Sequence, residues 1–223
     1  PAQLSVKGHE LQETKTSYQP CADKPNGSEQ LCSGFWEQVK MASIGKLLRD
    51  FRSGDQHSVW NRQALLAPET IQLSSGDFND GGRIPATHSG KGVGNNLSPQ
   101  LSWTGTPEVT AQLLLIIEDT DVPLPRPIIH TMALLDPAHS ELPTGGLDPK
   151  TAGLVFLPAS FWRRGYEGPR PLPGHGPHHY GFYLFALPTA ISNASKIKNV
   201  SQLIEVISGQ ILARGRLIGV QER

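Results

Sequence analysis

Short apolar runs of strand length dominate the chain from residue 71 onward. Leu101 and Trp103 alternate with polar neighbours just after Pro99, which biases Ser98 toward extended backbone and marks a turn entering a strand. Residues 112–117 (QLLLII) form a nearly continuous apolar run, which predicts a strand buried on both faces. Residues 132–135 and 154–157 have the same character, and in 180–187 both alternating sets are apolar, as in a central strand. Residues 214–220 read as a closing strand. Helical spacing occurs twice. Ile44, Leu47, Leu48 and Phe51 fall at i, i+3, i+4 and i+7, with Ser43 as cap and Gly54 as stop, and predict a helix packed on the core, with a lid or partner-binding element as the alternative. Near the C-terminus, Asn199 or Ser201 caps a helix whose face is Leu203, Ile204, Ile207, Ile211 and Leu212. Residues 1–34 are polar and without period, and are expected to be flexible.

Two loops interrupt this pattern and carry the polar chemistry. The first, EDTDVPLPRPIIH from Glu118, sets Asp119 and Asp121 around Thr120 and reaches His130 after three prolines. Pro123, Pro125 and Pro127 fix φ and lack an N–H, so the loop holds its shape without a ladder. The second, from Gly165 to Tyr180, is too rich in Pro and Gly for regular structure and ends in His175, His178 and His179. Each loop borders an expected central strand, which predicts that Asp119, Asp121, His130, His178 and Tyr180 converge at one end of a sheet. Such a set suits a phosphate or carboxylate, bound by imidazole, phenol and the N–H groups of a glycine loop. The plainer alternative is a turn whose Asp residues cap their own backbone.

Composition narrows these readings. A chain of 223 residues supports one sizeable core without requiring two domains. Its 37% apolar content and zero formal net charge remove the electrostatic argument for nucleic acid or an anionic membrane as bulk partner. No apolar run approaches the roughly 20 residues of a membrane span, and a basic-then-apolar leader is not visible, so a cytoplasmic location is expected. With Gly at 23 and Pro at 19, a β-dominated or mixed fold is favoured over a helical bundle. The two cysteines, Cys21 and Cys32, lie in the polar leading segment; a disulfide there would not staple the core.

Several chemistries compete for the polar loops. The glycines of 90–94 lack the spacing and following helix of a phosphate loop. No zinc spacing accompanies the histidine cluster, and a serine-nucleophile elbow is absent. A general acid–base enzyme using His178 or His130 with Asp119 needs no further signature.

The motifs resemble the phosphatidylethanolamine-binding protein family, in its bacterial and fungal Raf-kinase-inhibitor-like branch. Asp119-Thr-Asp-Val-Pro123 with His130 is similar to the family's D-P-D-A-P…H-W. Gly165, Gly168, Pro169, Pro171, Gly174, Pro177, His178 and Tyr180 match its G-x-x-G-P-C-P-P-x-G-x-x-P-H-R-Y. Residues 96–103 match N-I-S-P-x-L-x-W. The resemblance implies a mainly β fold with flanking helices, in which a large central sheet packs on a smaller one. It implies a family domain over 71–223, outside which lie the polar extension, over 1–40, and the leading helix and linker, over 41–70. Carried over by position, Asp119, Asp121, His130, Gly168, Pro169, His178 and Tyr180 would line an anion pocket, with no metal and no cofactor, and Arg170 at its mouth would favour an anionic ligand by charge-assisted hydrogen bonds. Arg170 stands where Cys is usual, and Thr131 where Trp is usual. The function implied is binding of a small anionic or phospholipid-like ligand. Alternatives are a cofactor-independent isomerase, cyclase or dehydratase working through His178, His130 and Asp119, or a kinase or protease inhibitor. A homodimer is a further expectation.

Overall fold

The apolar run at 112–117 builds the middle of the molecule. In a computed structural model that describes residues 39–223, the strands are β1 (Gln72–Ser74), β2 (Gly82–Arg83), β3 (Leu101–Thr104), β4 (Gln112–Asp119), β5 (Ile128–Leu135), β6 (Glu141–Leu142), β7 (Leu154–Phe156), β8 (His178–Leu187) and β9 (Ala213–Gln221). Helix α1 occupies residues 39–47 and α2 is Val200–Ile207. The expectations for residues 1–38, including Cys21 and Cys32, lie outside the described residues.

Six strands form one sheet in the order β2-β9-β8-β4-β5-β7, and β1-β3-β6 form a smaller one. β4 and β8 sit innermost and pair antiparallel along their length, Gln112 opposite Leu187 and Asp119 opposite Tyr180. Because side chains alternate across a strand, each face of the large sheet collects its own core. Leu113, Leu115 and Ile117 pack with Tyr180 and Phe182 against Leu73, Leu101, Trp103 and Leu142 of the small sheet. Leu114, Ile116, Tyr183 and Phe185 pack on the other face against Val59, Trp60 and Leu65, and against Leu203 and Ile207 of α2. The architecture is the mainly β, two-sheet arrangement with flanking helices that the motifs implied.

The helices differ from the pattern reading. α2 starts where expected: the Asn199 side chain accepts the Gln202 N–H, and Gln202 in turn accepts the Lys198 N–H. It stops at Ile207, because Gly209 takes φ +69, so Ile211 and Leu212 lie beyond it. α1 does not bury its apolar stripe. Leu47 is 84% and Phe51 56% exposed, and the Ser43 hydroxyl donates to the Val39 carbonyl inside the helix rather than capping it. The contact is made instead by small residues: Gly45 lies so near the second polar loop that an added Cβ would sit 1.9 Å from the Pro173 carbonyl oxygen. Backbone approach, not an apolar stripe, seats α1 on the loop that carries His175 and His178.

Candidate functional site

Alternation along β4 and β8 puts Asp119, His178 and Tyr180 on the face that looks toward the small sheet. His130 joins them through a defect in the ladder. Ile117 pairs with Thr131 and Glu118 with Ile129, so His130 is the extra residue of a β-bulge, a device that re-aims a side chain at a strand end. The His130 and Tyr180 rings meet edge to face with centroids 5.3 Å apart, and the His178 ring lies 6.4 Å from that of Tyr180. Two loops distant in sequence therefore close on one another, as the motifs predicted.

The hydrogen bonds divide the cluster into two working parts. Asp119 is buried; its Oδ1 accepts the Asp121 N–H at 2.9 Å and its Oδ2 lies 2.8 Å from Nδ1 of His178. Nε2 of His178 is in turn 2.8 Å from Nδ1 of His175. Both ring nitrogens of His178 are thus committed within the protein. His130 and Tyr180 are the opposite case. Nδ1 of His130 donates to the Glu167 carbonyl at 2.9 Å, which leaves Nε2 as the free nitrogen. That Nε2 is buried without a hydrogen-bond partner among the described residues, and the buried Tyr180 hydroxyl, although beside the Asp119 carboxylate, makes no hydrogen bond of good geometry there. Unsatisfied buried polar atoms are costly and scarce, and two on touching rings single this place out.

Protonation follows from burial. Removal from water pushes His130 below the ordinary histidine range, against the opposing pull of the Asp119 charge. Burial first, and the Asp119 charge second, push the Tyr180 phenol well above its usual value. At neutral pH the pair is a neutral imidazole with an open lone pair beside a protonated phenol.

The remaining expected residues surround this pair without joining it. Asp121 turns to the other side, pairing with Arg52 at 2.6 Å and with the ring and backbone N–H of His179 at 2.7 and 2.6 Å. Despite its partial burial, those bonds hold its carboxyl below the usual range. Gly168 and Pro169 are already engaged: the Gly168 N–H donates to Asn96 and the Pro169 carbonyl accepts from Gly90. Close packing explains that arrangement: a Cβ on Gly168 would be 2.1 Å from the His88 carbonyl oxygen. Arg170 pairs with Glu167 at 3.2 Å. Thr131 is fully buried and donates to the Gly165 carbonyl, so the place of the usual Trp is filled by the loop.

Sequence comparison adds the family. A model of the phosphatidylethanolamine-binding protein family matches residues 74–222, most of the described chain. The chain belongs to that family. It is 31% identical over 150 residues to the UPF0098 protein PH1269 of Pyrococcus horikoshii, covering 66% of this chain and 74% of that one. A UPF0098 protein of Methanothermobacter thermautotrophicus is 34% identical over 161 residues, covering 69% of this chain and 99% of the relative. Among solved structures, CT736 of Chlamydia trachomatis, described as a phosphatidylethanolamine-binding protein homologue, superposes with a TM-score of 0.60 at 31% identity and covers 70% of this chain and 99% of its own. YbcL of E. coli, described as a member of the mammalian phosphatidylethanolamine-binding protein family, gives 0.64 at 25% identity and covers 69% and 99%. Phosphatidylethanolamine-binding proteins are generally ligand-binding proteins.

Residues before the family match complete the surroundings; of these the pattern reading had named only Gly54, as a helix stop. Arg52 donates to the Pro177 carbonyl, Ser53 and Gly54 bond to Thr120 and Val122, and Asp55 accepts from Thr120. Glu118, on the opposite face from Asp119, accepts the Ser58 hydroxyl at 2.6 Å and the Val59 N–H at 3.0 Å. Burial raises its carboxyl to about 7. Its position in the 112–119 run, one residue before Asp119, is the only signal that it faces inward. No helix among the described residues is long and apolar enough to cross a membrane.

Proposed function

We propose that the paired rings of His130 and Tyr180 bind the acid group of a small molecule, a phosphate monoester or a carboxylic acid, and that Asp119 and His178 hold that pair in place. The observation that carries this reading is the pair of buried, unpartnered polar atoms, Nε2 of His130 and the Tyr180 hydroxyl. Their chemistry is complementary: one accepts and the other donates. A monoanionic phosphate or a carboxylic acid presents an O–H and an adjacent acceptor oxygen, which satisfies both at once. Relatives named for binding phosphatidylethanolamine support a phosphate-bearing group. Calorimetric titration with O-phosphoethanolamine, inorganic phosphate and acetate tests the proposal. His130→Ala and Tyr180→Phe are each expected to weaken the best of these at least tenfold; affinities unchanged from wild type in both variants would remove the site.

One observation favours a second reading, a cofactor-independent acid–base enzyme. Burial leaves His130 neutral and Tyr180 protonated, the states needed to take a proton from carbon while donating to the neighbouring carbonyl oxygen. That chemistry predicts deuterium uptake beside the carbonyl of a keto acid such as 4-oxopentanoate, faster than in buffer and abolished by His130→Ala. Uptake at the buffer rate would set the enzyme reading aside for such acids.

A further inference from the structure

Three contacts run in line from β4 to the segment that follows α1. Oδ2 of Asp119 meets Nδ1 of His178 at 2.8 Å, Nε2 of His178 meets Nδ1 of His175 at 2.8 Å, and Nε2 of His175 meets the Phe51 carbonyl oxygen at 3.1 Å. Each is a hydrogen bond and each needs one proton. A carbonyl only accepts, so Nε2 of His175 is protonated. The facing nitrogens of the two rings share a second proton, and His178 and Asp119 a third. A carboxylate and two neutral imidazoles hold only two. Both rings are fully buried, so water cannot stand in for a missing bond.

We infer that the Asp119–His178–His175 chain keeps this third proton and is electrically neutral as a unit, with His175 the positioning residue that makes it so. The count holds whether the charge separates into a carboxylate and an imidazolium or Asp119 itself carries the proton. The inference rests on the proposed ligand site and deepens it. Asp119 lies against Tyr180, and a bare carboxylate there would repel an anionic ligand. A neutral chain does not.

The charges around the chain leave this balance in place. From the leading segment, Arg52 donates to the His175 and Pro177 carbonyls while its charge is met by Asp121. Arg49 and Lys46 reach the same loop beside Gly176 and Gly174. His179 turns to Asp121, the Glu167 carboxylate is met by Arg163 and Arg170, and His130 of β5 faces the site together with Tyr180 of β8. The Phe51 carbonyl fixes the tautomer of His175 and so ties the protonation of the site to the leading segment.

Side-chain nitrogen NMR of the ligand-free wild-type protein at pH 7 tests the chain without reference to any ligand. A proton in the bond between the two rings and another in the Asp119–His178 bond are expected together; the absence of a proton from either bond would overturn the inference. Binding of O-phosphoethanolamine supplies the second arm. His175→Leu is expected to weaken it at least tenfold, and His175→Gln, which retains an acceptor for His178 and a donor for Phe51, less than threefold. Wild-type affinity in a folded His175→Leu protein would refute the electrostatic role. Both protons in place in a wild-type protein that binds none of the phosphate probes would retire the proposed ligand instead, and leave the proton chain standing.

Discussion

At the scale of single residues, neighbours in sequence have different fates because the sheet turns them to opposite faces. Asp119 enters the candidate site; Glu118 enters the layer under Trp60 and Tyr183. Glu118 makes the sharper pH prediction. Its carboxyl is raised from 4.5 to about 7 by burial. Below pH 4.5 it is protonated in both the folded and the unfolded chain and imposes no penalty. Between pH 4.5 and about 7 the unfolded chain ionises while the folded protein keeps the proton, so stability falls as pH rises, and above about 7 the loss is complete. The full effect is on the order of 3 kcal/mol. Glu118→Gln keeps an amide oxygen that accepts from Ser58 or Val59 but cannot ionise, and is expected to flatten this slope. Thermal unfolding midpoints at pH 5 and pH 8 check it: the same drop in wild type and variant would refute the assignment. Strand alternation put Asp119 and Tyr180 on one face, whereas His130 was named by the family motif alone: alternation along β5 would turn it to the opposite face, and only the bulge brings it round. The commitment of both His178 nitrogens was not legible, since it depends on His175 three residues away across a loop of unpredictable path.

At the scale of elements, helix ends obeyed local chemistry and helix faces obeyed neighbours. The Asn199 cap was legible because a side chain three residues from its target needs no tertiary information. Asn199→Ala is expected to cost about 1 kcal/mol, measurable as a shift in the denaturant midpoint with unchanged slope. α1 shows the other side. Its stripe of Ile44, Leu47 and Phe51 suggested burial, yet the close contact belongs to Gly45 and Gly174, where chain meets chain through missing side chains. Gly45→Ala places a methyl against the Pro173 carbonyl and is expected to destabilise by about 1–3 kcal/mol. Hydrogen exchange should then quicken at residues 42–54 before the strands respond. Protection equal to wild type in that segment would show that α1 does not depend on this contact. The His130 bulge belongs here too: an apolar strand reads the same with or without an extra residue, so only pairing against β4 reveals it.

For the whole molecule, the leading residues and the family domain share one hydrogen-bond system. Arg214 of β9 donates to the Trp60 carbonyl at 2.7 Å, pairs with Glu69 at 2.7 Å and stacks 3.9 Å over the Trp60 ring. Arg214→Ala is expected to cost on the order of 3 kcal/mol. Limited proteolysis should then cut between residues 54 and 70 well before the sheet; resistance equal to wild type would show that other contacts hold the segment. The sequence by itself determined the longer strands, their burial and the identity of the polar loops, because alternation, proline stiffness and glycine turns act over a few residues; the two-residue strands β2 and β6 carry no such pattern. Tertiary structure alone decided which polar atoms are satisfied and which are left open. A hydrogen bond joins partners such as Phe51 and His175, separated by more than a hundred residues, and no local pattern encodes that distance.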